Sequence, residues 1–129
     1  MRVAVAIITN SKQQVLIARR PAHATHPGMW EFPGGKLELD EAPAAALVRE
    51  IREEVGLLVL NFAYLGEVNH IYHDKQVSLL IFHVDHFEGE AQCCEAQLDL
   101  RWVDFATLSD FEFPAANNQV IELIKKKIL

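Results

Sequence analysis

The chain has 129 residues, half of them hydrophobic and 23% charged, with a formal charge of -6. That is enough for one domain with a real core, and it excludes a disordered chain. The acidic balance excludes a general nucleic-acid binder, which would carry a basic face. An anionic small substrate stays open, because a bound cation reverses the local field.

In chain order, Val3 to Thr9 is a β-branched run and reads as a buried strand. Its apolar part, Val3 to Ile8, is six residues long, too short for a signal-peptide core or a bilayer span, and this points to a cytoplasmic protein with no membrane contact. Asn10 to Gln13 is a polar turn, and Val15 to Ala18 a returning strand. Arg19 to Gly28, with Pro21, Pro27, His23 and His26, reads as a loop. Trp30 to Phe32 is a short strand into a Pro33-Gly34-Gly35 turn.

Ala44, Leu47, Val48, Ile51 and Val55 fall at helical spacings and form one apolar stripe. The spacing predicts a helix from about Asp40 to Val55. Pro43 is tolerated in its first turn, and Gly56 suits the left-handed residue after its last. Glu50, Glu53 and Glu54 share a second face, with Arg49 beside them. Leu57 to Val68 and Gln76 to Val84 read as strands about a hairpin tip at His73-Asp74-Lys75. Gly89 lies in a polar link. Leu98 to Val103 is a last strand, and Phe105 to Ser109 a short helix. Asn117 to Ile128 is a helix with Val120, Ile124 and Ile128 on one side, and Lys125 to Lys127 complement its C-terminal dipole. With no repeat or linker, the chain reads as one domain over 1–129. It is of the α/β class, a mixed sheet with helices on both faces.

Two features invite metal or redox chemistry outside that helix. Cys93 and Cys94 are adjacent; a disulfide between neighbours is strained, and two free thiols suit a reducing cytoplasm. The pairs His70/His73 and His83/His86 have zinc-like spacing. In a strand, however, a spacing of three puts the side chains on opposite faces, and structural zinc needs four well-placed ligands.

The acidic helix carries the strongest signal. Its carboxylates repel one another unless a cation sits among them, and hard divalent ions with oxygen ligands are the natural counter-charge. Residues 35–57 read GKLELDEAPAAALVREIREEVGL. They match G-x5-E-x7-R-E-U-x-E-E-x-G-U, with U a bulky aliphatic residue, at every fixed position. A merely solvated acidic face leaves Arg49 and both glycines unexplained.

That pattern is the Nudix box, so the chain resembles the Nudix hydrolases. Over nearly its whole length it is similar to the MutT type, through Arg19-Arg20, Glu31-Phe32-Pro33-Gly34-Gly35, Glu88-Gly89-Glu90 with Glu95, and Phe113-Pro114-Ala115-Ala116-Asn117. The resemblance implies an α/β/α sandwich and hydrolysis of a nucleoside triphosphate to the monophosphate and pyrophosphate, with 8-oxo-dGTP as the preferred substrate. It implies Mg²⁺, with Mn²⁺ as a substitute, held by the Gly35 carbonyl, Glu50, Glu53, Glu54 and Glu95. Glu50, as base or ligand, Arg49, which orients it, and Glu53 would do the chemistry, and Glu41 would support the loop. Arg20, Phe32, Lys75 and Asn117 would contact nucleotide.

Other roles compete: helix cap for Asn117, core packing for Phe32, surface charge for Arg20. Ala115 stands where MutT-type chains often carry a second proline, and Lys75 stands near an expected arginine. No obligate protein partner is evident. Alternatives are a same-fold hydrolase of pyrimidine or other nucleotides, and a non-catalytic nucleotide sensor, which would be expected to have lost a glutamate.

Overall fold

A computed structural model describes residues 1–129. Strands β1 (Arg2–Ile8) and β2 (Gln14–Arg19) lead to two short strands, β3 (Trp30–Glu31) and β4 (Gly34–Lys36), and then to helix α1 (Pro43–Val55). Strands β5 (Leu58–Tyr72), β6 (Lys75–Glu88) and β7 (Asp99–Asp104) follow. A 3-10 helix over Phe105–Asp110 and helix α2 (Ala116–Lys127) complete the chain.

The expected single mixed sheet is two sheets. One runs β4-β1-β6-β5, with β1 parallel to β6 and the other pairs antiparallel. The other runs β3-β2-β7 and is antiparallel. A lone bridge from Thr9 to Val15 joins them at the β1–β2 turn.

The period-two alternation of a strand explains why helices lie on both faces. Ala4, Ala6, Ile8 and Leu16 pack with Ala46, Leu47, Ile51 and Val55 of α1. The intervening Val5, Ile7, Val15 and Ile17 pack with Val120 and Ile124 of α2. A strand buried on both faces must be apolar at nearly every position, as the run Val3 to Ile8 is.

Three local expectations change. Helix α1 begins at Pro43, not Asp40, because Asp40 has a φ of 60° in a turn closed by Glu41 N–H donating to Glu38 O at 3.1 Å. Proline suits a first helical position, where its missing N–H would have no partner. Gly34 and Gly35 are strand rather than turn, opposite Val5 and Ala4. Strands β5 and β6 run on to a two-residue tip, His73 (φ 47°) and Asp74 (φ 64°), which leaves Lys75 as the first residue of β6. Gly56 does end α1 in the left-handed region, at φ 74°. No helix is long and apolar enough to cross a membrane.

Candidate active site

The exposed side of α1 is organised by Arg49. Its guanidinium donates to both oxygens of Glu41 at 2.8 Å, to Glu50 Oε1 at 2.8 Å, to Glu53 Oε2 at 3.2 Å and to the Lys36 carbonyl at 3.1 Å. The planar fork of arginine allows this shared grip, where a lysine would offer a point charge. The hydrogen bonds from Arg49, then that from the Glu38 N–H, hold the Glu41 carboxyl down at about 2. Glu41 is thereby a fixed anion that sets the angle of Arg49, which in turn sets Glu50.

Glu54 lies on the edge of the buried face, not clear of the apolar stripe. The residue is 7% exposed, and the one hydrogen bond to its carboxylate is from the Gly34 N–H at 3.2 Å. Burial, with Glu31, Glu95 and Glu50 nearby, pushes its carboxyl up to about 8 against the pull of that N–H. Burial also raises Glu50, against its contact with Arg49. These are carboxylates in want of positive charge.

The glycines are needed for close approach. A Cβ on Gly35 would stand 2.1 Å from Glu50 Oε2, and one on Gly34 would stand 2.1 Å from the Ala4 carbonyl oxygen. The Glu50 carboxylate therefore lies directly against the Gly35 backbone.

Glu95 arrives on a segment fastened to the C-terminal end of α1. Gln92 N–H donates to Val55 O at 2.9 Å and Cys94 N–H to Glu54 O at 3.1 Å. The buried Gln97 side chain donates to Glu54 O at 2.8 Å and accepts the Glu95 N–H at 2.9 Å. Glu95 is exposed, yet near enough to raise both Glu50 and Glu54.

No three acidic, histidine or cysteine side chains converge as a finished metal cage, and Arg49 holds Glu50 and Glu53. The donor chemistry nonetheless fits a hard divalent ion. It consists of carboxylate and carbonyl oxygens around a buried, under-compensated Glu54. Neither histidine pair joins a cluster: His83 bonds Thr9 Oγ1 at 2.8 Å, and His86 contacts Asp85 at 3.1 Å.

A cavity of about 370 Å³ opens beside this cluster, over the α2-facing side of the four-stranded sheet. Arg20, Phe32 and Asn117 line it, together with Glu31 and Gly34. Arg20 is paired with Glu31 and donates to Thr25 O and Thr25 Oγ1, the latter at 2.8 Å. Phe32 stacks on Phe113, ring centres 5.2 Å apart, so it both packs and forms a wall. Asn117 lies within the first turn of α2, whose cap position is Ala115, and no side chain caps that helix. The cap role considered for Asn117 is therefore not the one it fills.

Lys75 is set apart. It is paired with Tyr72 on the cavity's face of the sheet, but exposed at the hairpin end, outside the lining. The sequence reading missed Glu31 as a third charge beside Glu54, Gln97 as the tie for Glu95, and His70 and Tyr72 in the cavity wall. Glu31 had a signal, its place in the Glu-Phe-Pro-Gly-Gly stretch; Gln97 had none.

Comparison with known proteins agrees with this architecture. A family model described as NUDIX domain matches residues 4–123. The 8-oxo-dGTP diphosphatase of Escherichia coli is 36% identical over 126 residues, 98% of this chain and 97% of that protein. The CTP pyrophosphohydrolase of the same organism is 39% identical over 93 residues, covering 72% and 69% of the two chains. A solved structure from a study of MutT of Aliivibrio salmonicida and Vibrio cholerae superposes with a TM-score of 0.83 at 33% identity, covering 98% of this chain and 99% of the other. With the box on α1, its carboxylates gathered about Arg49 and the family model spanning nearly the whole chain, the protein belongs to the Nudix family of hydrolases.

Proposed function

We propose that the protein is a cytoplasmic, Mg²⁺-dependent nucleoside triphosphate pyrophosphohydrolase that removes 8-oxo-dGTP before it is copied into DNA. One observation carries the reading: the cavity and the carboxylate cluster share Gly34. This glycine lines the cavity and donates its N–H to Glu54. A nucleotide with its base in the cavity would thus lay its polyphosphate toward α1. The name of the Escherichia coli 8-oxo-dGTP diphosphatase among the relatives supports the same substrate.

Glu53 and Glu54 are the main metal ligands in this reading, with the Gly35 carbonyl, Glu50 and Glu95. When bound, Mg²⁺ offsets the phosphate charge, polarises phosphorus and acidifies water. Glu50, held by Arg49 and pressed against Gly35, is the candidate base for the attacking water. The water oxygen joins phosphorus, the bridging P–O bond breaks, and the monophosphate and pyrophosphate leave. Arg20 contacts the nucleotide from the cavity's edge, and Lys75 approaches from the hairpin end.

Asn117 would read the base. Oxidation at C8 turns guanine N7 from an acceptor into an N–H donor. One side-chain amide then pairs with O6 and N7–H together, donor to acceptor and acceptor to donor. The test is kcat/KM across normal and oxidised triphosphates with Mg²⁺. A clear lead for 8-oxo-dGTP supports the reading, and no hydrolysis of any nucleotide refutes it. The resemblance to a CTP pyrophosphohydrolase favours one second reading, a pyrimidine substrate, which a lead for CTP or dCTP would establish.

A further inference from the structure

Cys93 and Cys94 lie in the segment that presents Glu95, and the chemistry above does not use them. Both thiols are free and exposed. They are neighbours outside any helix or strand. Consecutive Cα atoms are about 3.8 Å apart, short of the roughly 4.4–6.8 Å a disulfide spans. A direct S–S bond is therefore strained, whereas a third atom between the two sulfurs widens the ring and relieves it. Adjacent thiols of this kind suit a soft acceptor that takes two sulfurs.

What they touch gives the pair its reach. The Cys94 sulfur lies 3.6 Å from where a Cβ on Gly56 would stand, so it rests against the turn that ends α1. The Cys94 N–H donates to Glu54 O at 3.1 Å. The next residue is Glu95, whose N–H is bound by Gln97, itself tied to the same Glu54 carbonyl. Any turn of Cys94 toward a shared atom would act on the residue whose N–H holds Glu54 O and whose neighbour is Glu95.

We propose that Cys93 and Cys94 form a binding site for trivalent arsenicals, and that occupation disables the neighbouring metal site by drawing Glu95 out of it. The second half rests on the reading of Glu95 as a metal ligand. The step is a condensation with no change of oxidation state. An organic arsenoxide, R–As=O, and two thiols give R–As(S)₂ and one water, two As–S bonds replacing the As=O bond and two S–H bonds. Hard ions go to the carboxylates and the soft arsenic to the thiols, so the inhibitor need not compete with Mg²⁺ for a ligand.

The probe is phenylarsine oxide added to the full chain. Stoichiometry is read by intact mass, Mn²⁺ affinity by electron paramagnetic resonance, and hydrolysis by initial rate. We expect one arsenical per chain, Mn²⁺ affinity lowered at least about tenfold, the rate lowered with it, and recovery with a dithiol but not with a monothiol at equal thiol concentration. C93S/C94S should keep its Mn²⁺ affinity and rate and ignore the probe. Absence of the adduct, or its release by a monothiol, overturns the site. An adduct that leaves Mn²⁺ affinity and rate unchanged overturns the coupling, as does equal inhibition of C93S/C94S. Mn²⁺ binding needs no nucleotide, so it stands apart from the substrate assignment. Glu95→Gln tests the metal role of Glu95 by itself and separates that failure from failure of the thiol site.

Discussion

Replacing Glu54 by Gln should make the metal-free protein more stable and the enzyme nearly inactive. The carboxyl sits at about 8 in the fold against 4.5 for an ordinary glutamate. The folded state therefore holds a proton that the unfolded chain releases. Its cost to stability is absent below about pH 4, grows from about pH 4.5 to 8, and levels off above. At pH 7 it is about 3 kcal/mol, taking 1.36 kcal/mol for each tenfold step, and at pH 5 it is under about 1 kcal/mol. Glutamine carries no such charge, and its amide oxygen still accepts the Gly34 N–H. In a chelator, urea unfolding of Glu54→Gln should thus show a gain of up to about 3 kcal/mol at pH 7 and little at pH 5. With Mg²⁺ the order reverses in function: kcat/KM should fall at least about a hundredfold, the scale of losing a major electrostatic contributor. A stability gain equal at both pH values, no gain at pH 7, or near wild-type turnover would refute the reasoning.

Three further outcomes are expected. Glu50→Gln should lower kcat more than it raises KM, since its work is done in the transition state; poor binding with normal turnover would make it a binding residue only. Gly35→Ala should lose activity with a small change in unfolding midpoint, because the added Cβ would meet the Glu50 carboxylate at 2.1 Å and that side chain can swing into solvent; unchanged kcat would dissociate Glu50 from the Gly35 backbone. Asn117→Ala should reduce the preference for 8-oxo-dGTP over dGTP about five- to 150-fold, the worth of one bidentate base contact of about 1–3 kcal/mol, with much less loss on dGTP. An unchanged ratio of kcat/KM values would move base recognition elsewhere.

The helix carrying the box was legible because its two faces are written in different residue types, aliphatic on one and acidic on the other. Its C-terminus was legible because Gly56 serves the backbone. Its start was not, because Asp40 occupies a left-handed turn that spacing does not signal. The division into two sheets was hidden for a related reason. Alternate residues of β1 and β2 supply opposite cores, and an unbroken apolar run says nothing about which strand lies alongside. Arg49, Glu50 and Glu41 were readable because they stand within one helix and its approach. The Glu31–Glu54 juxtaposition and the tie of Gln97 to α1 join distant parts of the chain, and only the fold brings them together.

The parallel pairing of β1 with β6 has a consequence for how the protein is made. Arg2 through Ile8 find their parallel partners at Ser78 through Val84. During synthesis this apolar strand is made well before β6 and waits for it before its central ladder closes. Contacts this distant in sequence slow folding and leave a sticky strand unpaired. The β5–β6 hairpin, by contrast, is local and can form at once around the His73-Asp74 tip. A preformed hairpin that captures β1 is the economical order of assembly. The carboxylate cluster would then be completed late, because β4, which brings Gly34 and Gly35, pairs only with β1.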